Sequence, residues 1–535
     1  MLKHTVFVLI LLSLSLQAGN LEEIKNFLHG LGQETVLTPE PRRCGFSIMT
    51  DIKMHYNQLD ADSKMMADKL LSVNLTNYQD SIISPAGHFI LYYDTTGNDA
   101  VDSKDSLANG IPDFIDSAAA VFDHVWQVEI ERLGFKRPVD AEGRPVEHYP
   151  VYFQALSNMY GYTYPDQPYY PEEGIVQYSS YIVIDNDFKG YYYTNGLDAL
   201  KVTAAHEFNH AIQLSYHVRF NGSYEDIFLM EMTSTWMEDY VYNEVNDYYQ
   251  YLNYYGGIFS DFYNFRFNST GGYDYYANCL FLHMINKKYN PHTIVEFWET
   301  IPAAPAIEAM DIVLTNKGSS FAEEQNHYAA WLYFTADRAV AGQYFPEGAA
   351  YPQFDLQELP DSPVNIASYG MKVYKIPINE GGFYESRLTA DNDDGCYNHI
   401  VGIRLAGRTK SFKDRQIFSK SENENLFVTL SNPATFPLAD VQYSVKTADV
   451  FVKGNPVSTS QNGNQVIFEA VPEYAVITIY DILGRKVETL KPNGTETQVR
   501  WNLTNINGRK LASSVYFYIV RSHNITSKGK FVLIR

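Results

Sequence analysis

The spacing of hydrophobic positions changes along the chain, and those changes divide it. Lys3 and His4 precede an apolar run from Val6 to Leu16 and then Gln-Ala-Gly. This is the order of a signal peptide, expected over 1–19, and the run is too short to span a bilayer. Residues 20–82 show a modest helical period, as in Leu21 to Leu28 and Asp62 to Leu71. They fit either a propeptide or an N-terminal lobe. From Gly87 the period shortens to two, and His88 to Tyr93, Tyr149 to Phe153 and Ser180 to Ile184 read as strands, with a helix over Asp116 to Leu133. A loop over Gly190 to Gly196 leads into a helix that Asp198 is placed to cap. In that helix Leu200, Ala204, Phe208, Ala211 and Ile212 recur at helical spacing and predict its buried side. Phe228 to Glu238 reads as a second helix, and Tyr273 to Leu282 begins another.

Beyond Pro346 the pattern turns to short strands broken by Gly, Pro and Asn, including Lys372 to Ile376 and Leu426 to Leu430. A β-sandwich over 346–450 is expected. After Asn455-Pro456, the segments Val476 to Val487, Trp501-Asn502, Asn507-Gly508 and Val515 to Val520 alternate as strands of a small Ig-like sandwich over 455–535. The expected fold class is therefore an α+β domain over 83–345 followed by two β-sandwich domains.

A chain of 535 residues exceeds one ordinary core, so several domains are required. The net charge of −22, from 63 acidic and 41 basic residues, argues against nucleic acid as a partner. No apolar run after the first residues is long enough for a transmembrane segment. The 43 tyrosines gather in places, as at Tyr191 to Tyr193 and at Tyr248, Tyr249 and Tyr251, and suit either a wet groove or the border of a core. Three cysteines, Cys44, Cys279 and Cys396, allow at most one bridge and do not space as a metal site. Cys279, among Leu280, Phe281 and Leu282, reads as a buried thiol.

The chemistry concentrates at His206-Glu207-Phe208-Asn209-His210, an H-E-x-x-H pattern. Residues four apart on a helix share a face, so both imidazoles can reach one ion. Neutral imidazole and carboxylate are the usual ligands of catalytic zinc, and Glu207 can point at a bound water as general base. A third protein ligand is required. His217 lies seven residues past His210, about 10 Å along a helix axis and too far for a bond of about 2 Å. Glu225 or Asp226 in the intervening turn, and Glu231 in the second helix, remain. A second candidate ion is Ca²⁺. The loop from Asp94 to Asp116 is dense in hard oxygen donors, and Asp102, Asp105, Asn109, Asp113 and Asp116 could hold it.

His206-Glu207-x-x-His210 followed by a helix carrying Glu231, small residues and Glu238 resembles the gluzincin zinc proteases, such as thermolysin and the zinc aminopeptidases. The resemblance implies a zincin-like fold of mixed sheet and active-site helices, with His206, His210 and Glu231 as ligands and Glu207 as base. Thermolysin-like enzymes carry an Asp four residues after the ligand Glu to orient a His. Here that position is Thr235, and the role passes to Glu238 or Asp239. Tyr275 or Tyr276 could donate to the oxyanion formed on the attacked carbonyl. The run from Cys44-Gly45 through Ser84 to Phe89, Tyr93 to Gly97, Ala204 to Phe208 and Trp236 to Glu238 resembles a bacterial family of secreted metalloproteases, over roughly residues 40–340. Residues 455–535, with their basic end from Lys528 to Arg535, resemble the C-terminal sorting domain of the type IX secretion system, although Ser514 stands where that pattern has Gly.

The expected function is that of a secreted or cell-surface zinc endopeptidase. Its expected partners are a protein or peptide substrate and the type IX secretion machinery. An edge strand would align substrate beside the zinc by strand addition. The alternative is a non-catalytic adhesin or glycan-binding protein that keeps a metalloprotease-like fold.

Overall fold

In the computed structural model the described residues are 21–22, 24–29, 44–71, 77–156, 159–189, 193–219, 226–270, 273–389, 400–404, 408–412, 415–420, 426–459, 464–492 and 497–535. The signal peptide expected over 1–19, Tyr191, Tyr192, Glu225 and Cys396 lie outside them. The fold is mixed α/β with several sheets, and it divides into two compact units. Residues up to Phe259 and Asn268–Ser320 form the first, and Ser260–Phe267 with Phe321–Arg535 form the second.

The first unit is built on one sheet of strands β1 (Asp80–Ile83), β2 (Phe89–Tyr93), β3 (Tyr149–Gln154), β4 (Gly161–Tyr169) and β5 (Gln177–Asp185), in the order β1-β2-β3-β5-β4. Strands β2, β3 and β5 run parallel, while β4 pairs antiparallel with β5 and leaves a sheet edge. Buried parallel strands need apolar side chains on both faces, and Ser179 to Asp185 is buried without a break. Alternation then assigns the faces. Tyr152, Tyr162, Tyr181 and Val183 share a cluster with Ile48, Met49 and Ile52 of the helix Phe46–His55, with Leu59, and with Ala67. The N-terminal helices thus cover one face of the sheet as part of its core.

On the other face Phe208 meets Phe89, Tyr149 and Trp126 at ring distances of 5.0, 5.7 and 5.6 Å. Phe208 comes from the helix Gly196–Gln213, the histidine helix, and Trp126 from the helix Asp113–Trp126, whose last turns continue as a π-helix over Gln127–Arg132. A fully buried aromatic in such a cluster is costly to remove. Phe208→Ala should lower the unfolding free energy by about 3–5 kcal/mol in a urea titration of the intact chain. A loss below about 1 kcal/mol would show that the face is not packed this way.

The second unit carries two pairs of sheets. In the first pair, Met371–Ile376 and Leu426–Ser431 are antiparallel neighbours, and their inward residues share an apolar cluster with Tyr384, Phe418 and Tyr443 of the facing sheet. The helix Phe321–Tyr333, expected with the preceding domain up to 345, packs with these sheets instead. Its Asn326 donates to the Thr429 carbonyl at 3.2 Å and accepts from the Thr429 hydroxyl at 2.8 Å. Asn326 thus finds its partners on the sheet, and the boundary falls near 320. In the last segment Val476–Tyr480 pairs with Lys486–Leu490 and with Ser514–Ser522, and alternate residues Tyr516, Tyr518 and Val520 point into a shared core with Phe468 and Trp501. No described helix is long and apolar enough to cross a membrane.

Candidate metal centre

The histidine helix is buried on nearly all sides, yet Thr203, His206, Glu207, Asn209, His210 and Gln213 within it are polar. Buried polar groups cost free energy unless they find partners, so this stretch is where the fold must answer for itself. The helix starts at Gly196, whose φ of +60° suits glycine, and Asn195 is its N-cap residue. Asp198, expected as the cap, sits instead in the first turn, where an acid complements the helix dipole.

The second helix, Ile227–Val241, lies alongside and brings Glu231, Ser234 and Glu238 onto one face. His206 Nε2 lies 3.1 Å from His210 Nε2 and 3.2 Å from Glu231 Oε2, and His210 Nε2 lies 3.4 Å from that same oxygen. Four ligands at about 2.0–2.3 Å around a tetrahedral zinc stand roughly 3.3–3.7 Å apart, so these separations suit one ion between them. Glu231 is fully buried, and its Oε1 has no hydrogen-bond partner. An orphaned buried carboxylate oxygen beside two imidazoles is what a cation would satisfy. The residues present therefore fit a metal.

Cys44 joins them. Cys44, His206, His210 and Glu231, all buried, offer ligand atoms within 4.8 Å of one another, and Cys44 Sγ is 3.4 Å from His210 Nε2. Sequence spacing excluded the cysteines from a metal site, and the structure corrects this. Cys44 lies 166 positions from His210 and arrives through backbone pairing. Its residue bridges to Gly161 at the start of β4, and Gly45 N–H donates to the Gly161 carbonyl at 2.9 Å. Phe46 follows, with its ring stacked 4.1 Å from His210.

The outward nitrogens of both imidazoles are held. His206 Nδ1 lies 2.7 Å from Glu238 Oε1, and His210 Nδ1 lies 2.8 Å from Gln213 Oε1. Gln213 is fixed in turn by Asn209 and by the Met230 carbonyl, and Asn209 donates to the buried Glu129. Of the two orienting candidates, Glu238 takes the role, while Asp239 faces His283 at 3.8 Å. Thr235 is buried and its hydroxyl has no hydrogen-bond partner, so it orients neither imidazole. The Gln213–Asn209–Glu129 chain was missed because glutamine and asparagine carry no metal-site signal in sequence. Orienting partners of ligands hold ring angle and tautomer. Glu238→Gln should weaken zinc binding about 10- to 100-fold in a competition titration with a chromogenic chelator. An unchanged affinity would remove Glu238 from that role.

Glu207 lines the same pocket as Cys44 and His206. It accepts a hydrogen bond from the Thr163 hydroxyl at 2.9 Å, and that hydroxyl also lies 2.7 Å from the Glu207 carbonyl. Burial pushes the Glu207 carboxyl up, against the pull of His206 and His210. For His206, burial opposes the charged ring, but Glu231 and Glu238 outweigh it and hold a proton there in the metal-free chain. For Glu231, burial raises the carboxyl, and the two histidines more than reverse it. A small pocket lined by Cys44, Tyr160, Val202, Thr203, His206, Glu207 and Glu238 adjoins the cluster.

Other expected residues lie elsewhere or farther out. Tyr276 is buried, stacks on Tyr251 and has its ring 6.0 Å from that of His206, while Tyr275 is half-buried with its ring 4.4 Å from that of Tyr276. His217 lies past the helix end and accepts from Val176 N–H at 3.0 Å. Asp226 pairs with Arg219 at 3.1 Å and accepts from Ala306 N–H at 2.8 Å. In the acidic loop, Asp102 accepts from Lys104 N–H, Asp105 from Asn109 and Gly110 N–H, and Asp113 from Ser106 N–H. Asn109 Nδ2 donates to Asp116. These carboxylates are engaged by backbone and side-chain groups of their own segment. Among the described residues they do not converge as the four around His206 do.

No known protein family matches the chain, and no curated protein matches it. Among solved structures, the chain is similar to PorZ, a surface component of the type IX secretion system of Porphyromonas gingivalis. The match has 19% identity over 22% of this chain and 15% of that one, with a TM-score of 0.15. Dimeric latent PorU from Porphyromonas gingivalis matches at 17% identity over 34% of this chain and 19% of that one, with a TM-score of 0.14. The adhesin domain of Epf from Streptococcus pyogenes matches at 9% identity over 33% of this chain and 68% of that one, with a TM-score of 0.15. The chain spans less than a fifth of the length of PorZ and PorU. TM-scores this low establish no shared overall fold, and nothing about activity follows from them.

Proposed function

We propose that the chain is a zinc-dependent endopeptidase, exported and held at or beyond the cell surface. The observation that carries this reading is the placement of Glu207. Its buried carboxylate lines a pocket with His206 beside the cluster of two imidazoles and a carboxylate. His206, His210 and Glu231 would hold the ion. Zinc, when bound, polarises a scissile carbonyl and acidifies water. Glu207 accepts the proton of the attacking water and delivers it to the leaving amine. Thr163 holds the carboxylate in place for it. Tyr276, packed near His206, is the better placed of the two tyrosines to approach the oxyanion. Strand β4 supplies the edge on which an extended peptide can align. Export rests on the signal-peptide pattern of residues 1–19 and on the resemblance of residues 455–535 to a type IX sorting domain, whose machinery would be a partner.

A second reading has its own support. Cys44 completes a set of four protein ligands, and closed four-ligand zinc sites are structural. A surface protein of adhesive or glycan-binding type could use such a site only to hold its fold. The two readings separate in one experiment on the purified chain with Cys44 replaced by Ala. The peptidase reading expects about one zinc per chain, casein cleavage, loss of cleavage with chelator, and recovery on adding zinc back. Zinc bound without cleavage of casein or gelatin would favour the second reading.

A further inference from the structure

Cys44 occupies a position that the catalytic reading leaves for water, and it reaches that position by a specific route. The chain at Cys44 forms a parallel bridge to Gly161 on the free edge of β4, the edge a substrate would need. A Cβ on Gly45 would overlap the Met159 sulfur and lie 3.0 Å from Tyr162 Cβ, so a larger residue there would require the Met159 side chain to move. The helix that begins at Phe46 is anchored by Ile48, Met49 and Ile52 in the sheet core. The thiol and Glu207, the base itself, line one small pocket. The cluster also holds an independent sign of a cation, the buried and unpartnered Oε1 of Glu231.

We propose that the full chain is latent, with Cys44 Sγ bound as fourth ligand to the zinc at His206, His210 and Glu231 and the Cys44–Gly45 segment lying on the β4 edge. The proposal rests on the peptidase reading for its regulatory meaning and on geometry alone for the ligation. On ligation the S–H bond breaks, the Sγ–metal bond forms, and the proton passes to Glu207, which lines the same pocket. On opening, water takes the place of the sulfur and the thiolate regains a proton. No electron changes hands. Removing the thiol or drawing it away frees both the ligand position and Glu207.

The test uses the full chain loaded with Co(II), and its Cys44→Ala and Cys44→Ser variants. The parent should show a thiolate-to-cobalt charge-transfer band in the near ultraviolet that both variants lack. With zinc, casein cleavage should rise at least about 100-fold from parent to Cys44→Ala, the gain when an open state populated near one part in a hundred becomes the only state. Absence of the band in the parent overturns the ligation. A parent as active as Cys44→Ala overturns the latency. The band present in the parent, with both proteins inactive, supports the ligation and overturns the peptidase reading on which the regulation depends.

Discussion

Glu207→Gln, made in the Cys44→Ala background, should bind zinc as its parent does and cleave casein at least about 10²- to 10⁴-fold more slowly, the range that a positioned acid or base contributes. Glutamine keeps the shape of the side chain, and its amide can still meet the Thr163 hydroxyl. It cannot take a proton. The four converging ligand atoms do not include Glu207, so metal content should not change. Metal analysis and a fluorogenic casein assay on one preparation separate these effects. A variant with full zinc and undiminished cleavage would remove Glu207 from the chemistry. A variant that lost its zinc would show that Glu207 is a ligand.

Removing Glu231 should do the opposite and act on the metal itself. Its Oε2 sits 3.2 and 3.4 Å from the two imidazole nitrogens, and it is the only carboxylate in the converging set. Glu231→Ala leaves the two imidazoles and the Cys44 sulfur around the ion. Zinc affinity should fall by more than about 100-fold, beyond the loss expected when a ligand merely loses its orienting partner. The metal-free variant carries a second penalty. His206, held protonated by Glu231 and Glu238, keeps Glu238 but loses its other anion in a buried setting. Breaking a buried ion pair costs about 3–5 kcal/mol, so urea midpoints of metal-free parent and variant should separate clearly. Retained stoichiometric zinc after dialysis against a weak chelator would mean that another oxygen holds the ion.

What sequence carried, and what it did not, follows from the range of each interaction. The strand at Tyr149 to Phe153 emerged within one residue of the observed Tyr149–Gln154 because a buried strand must be apolar along its own length. His206 and His210 were legible because helix geometry fixes their separation locally. Glu231 required one further step, a second helix packed beside the first. Cys44 left no local trace. Its place depends on a backbone bridge to Gly161 and on a helix anchored against the far face of the sheet. The helix Phe321–Tyr333 was assigned to the wrong neighbour for a related reason. Its own period shows an apolar face but not which sheet receives it. The orienting set of Gln213, Asn209 and Glu129 was also hidden, since each side chain gains meaning only from its partner.

The tyrosine-rich face of the sheet has a practical corollary. Tyr152, Tyr162 and Tyr181 are covered by side chains that precede residue 68 in the chain. A shortened gene starting after residue 82, the natural choice for someone who takes the front of the protein to be a discarded leader, would lay those rings bare. The truncated product should collect in inclusion bodies, and supplying the missing piece as a separate polypeptide during refolding should return it to solution.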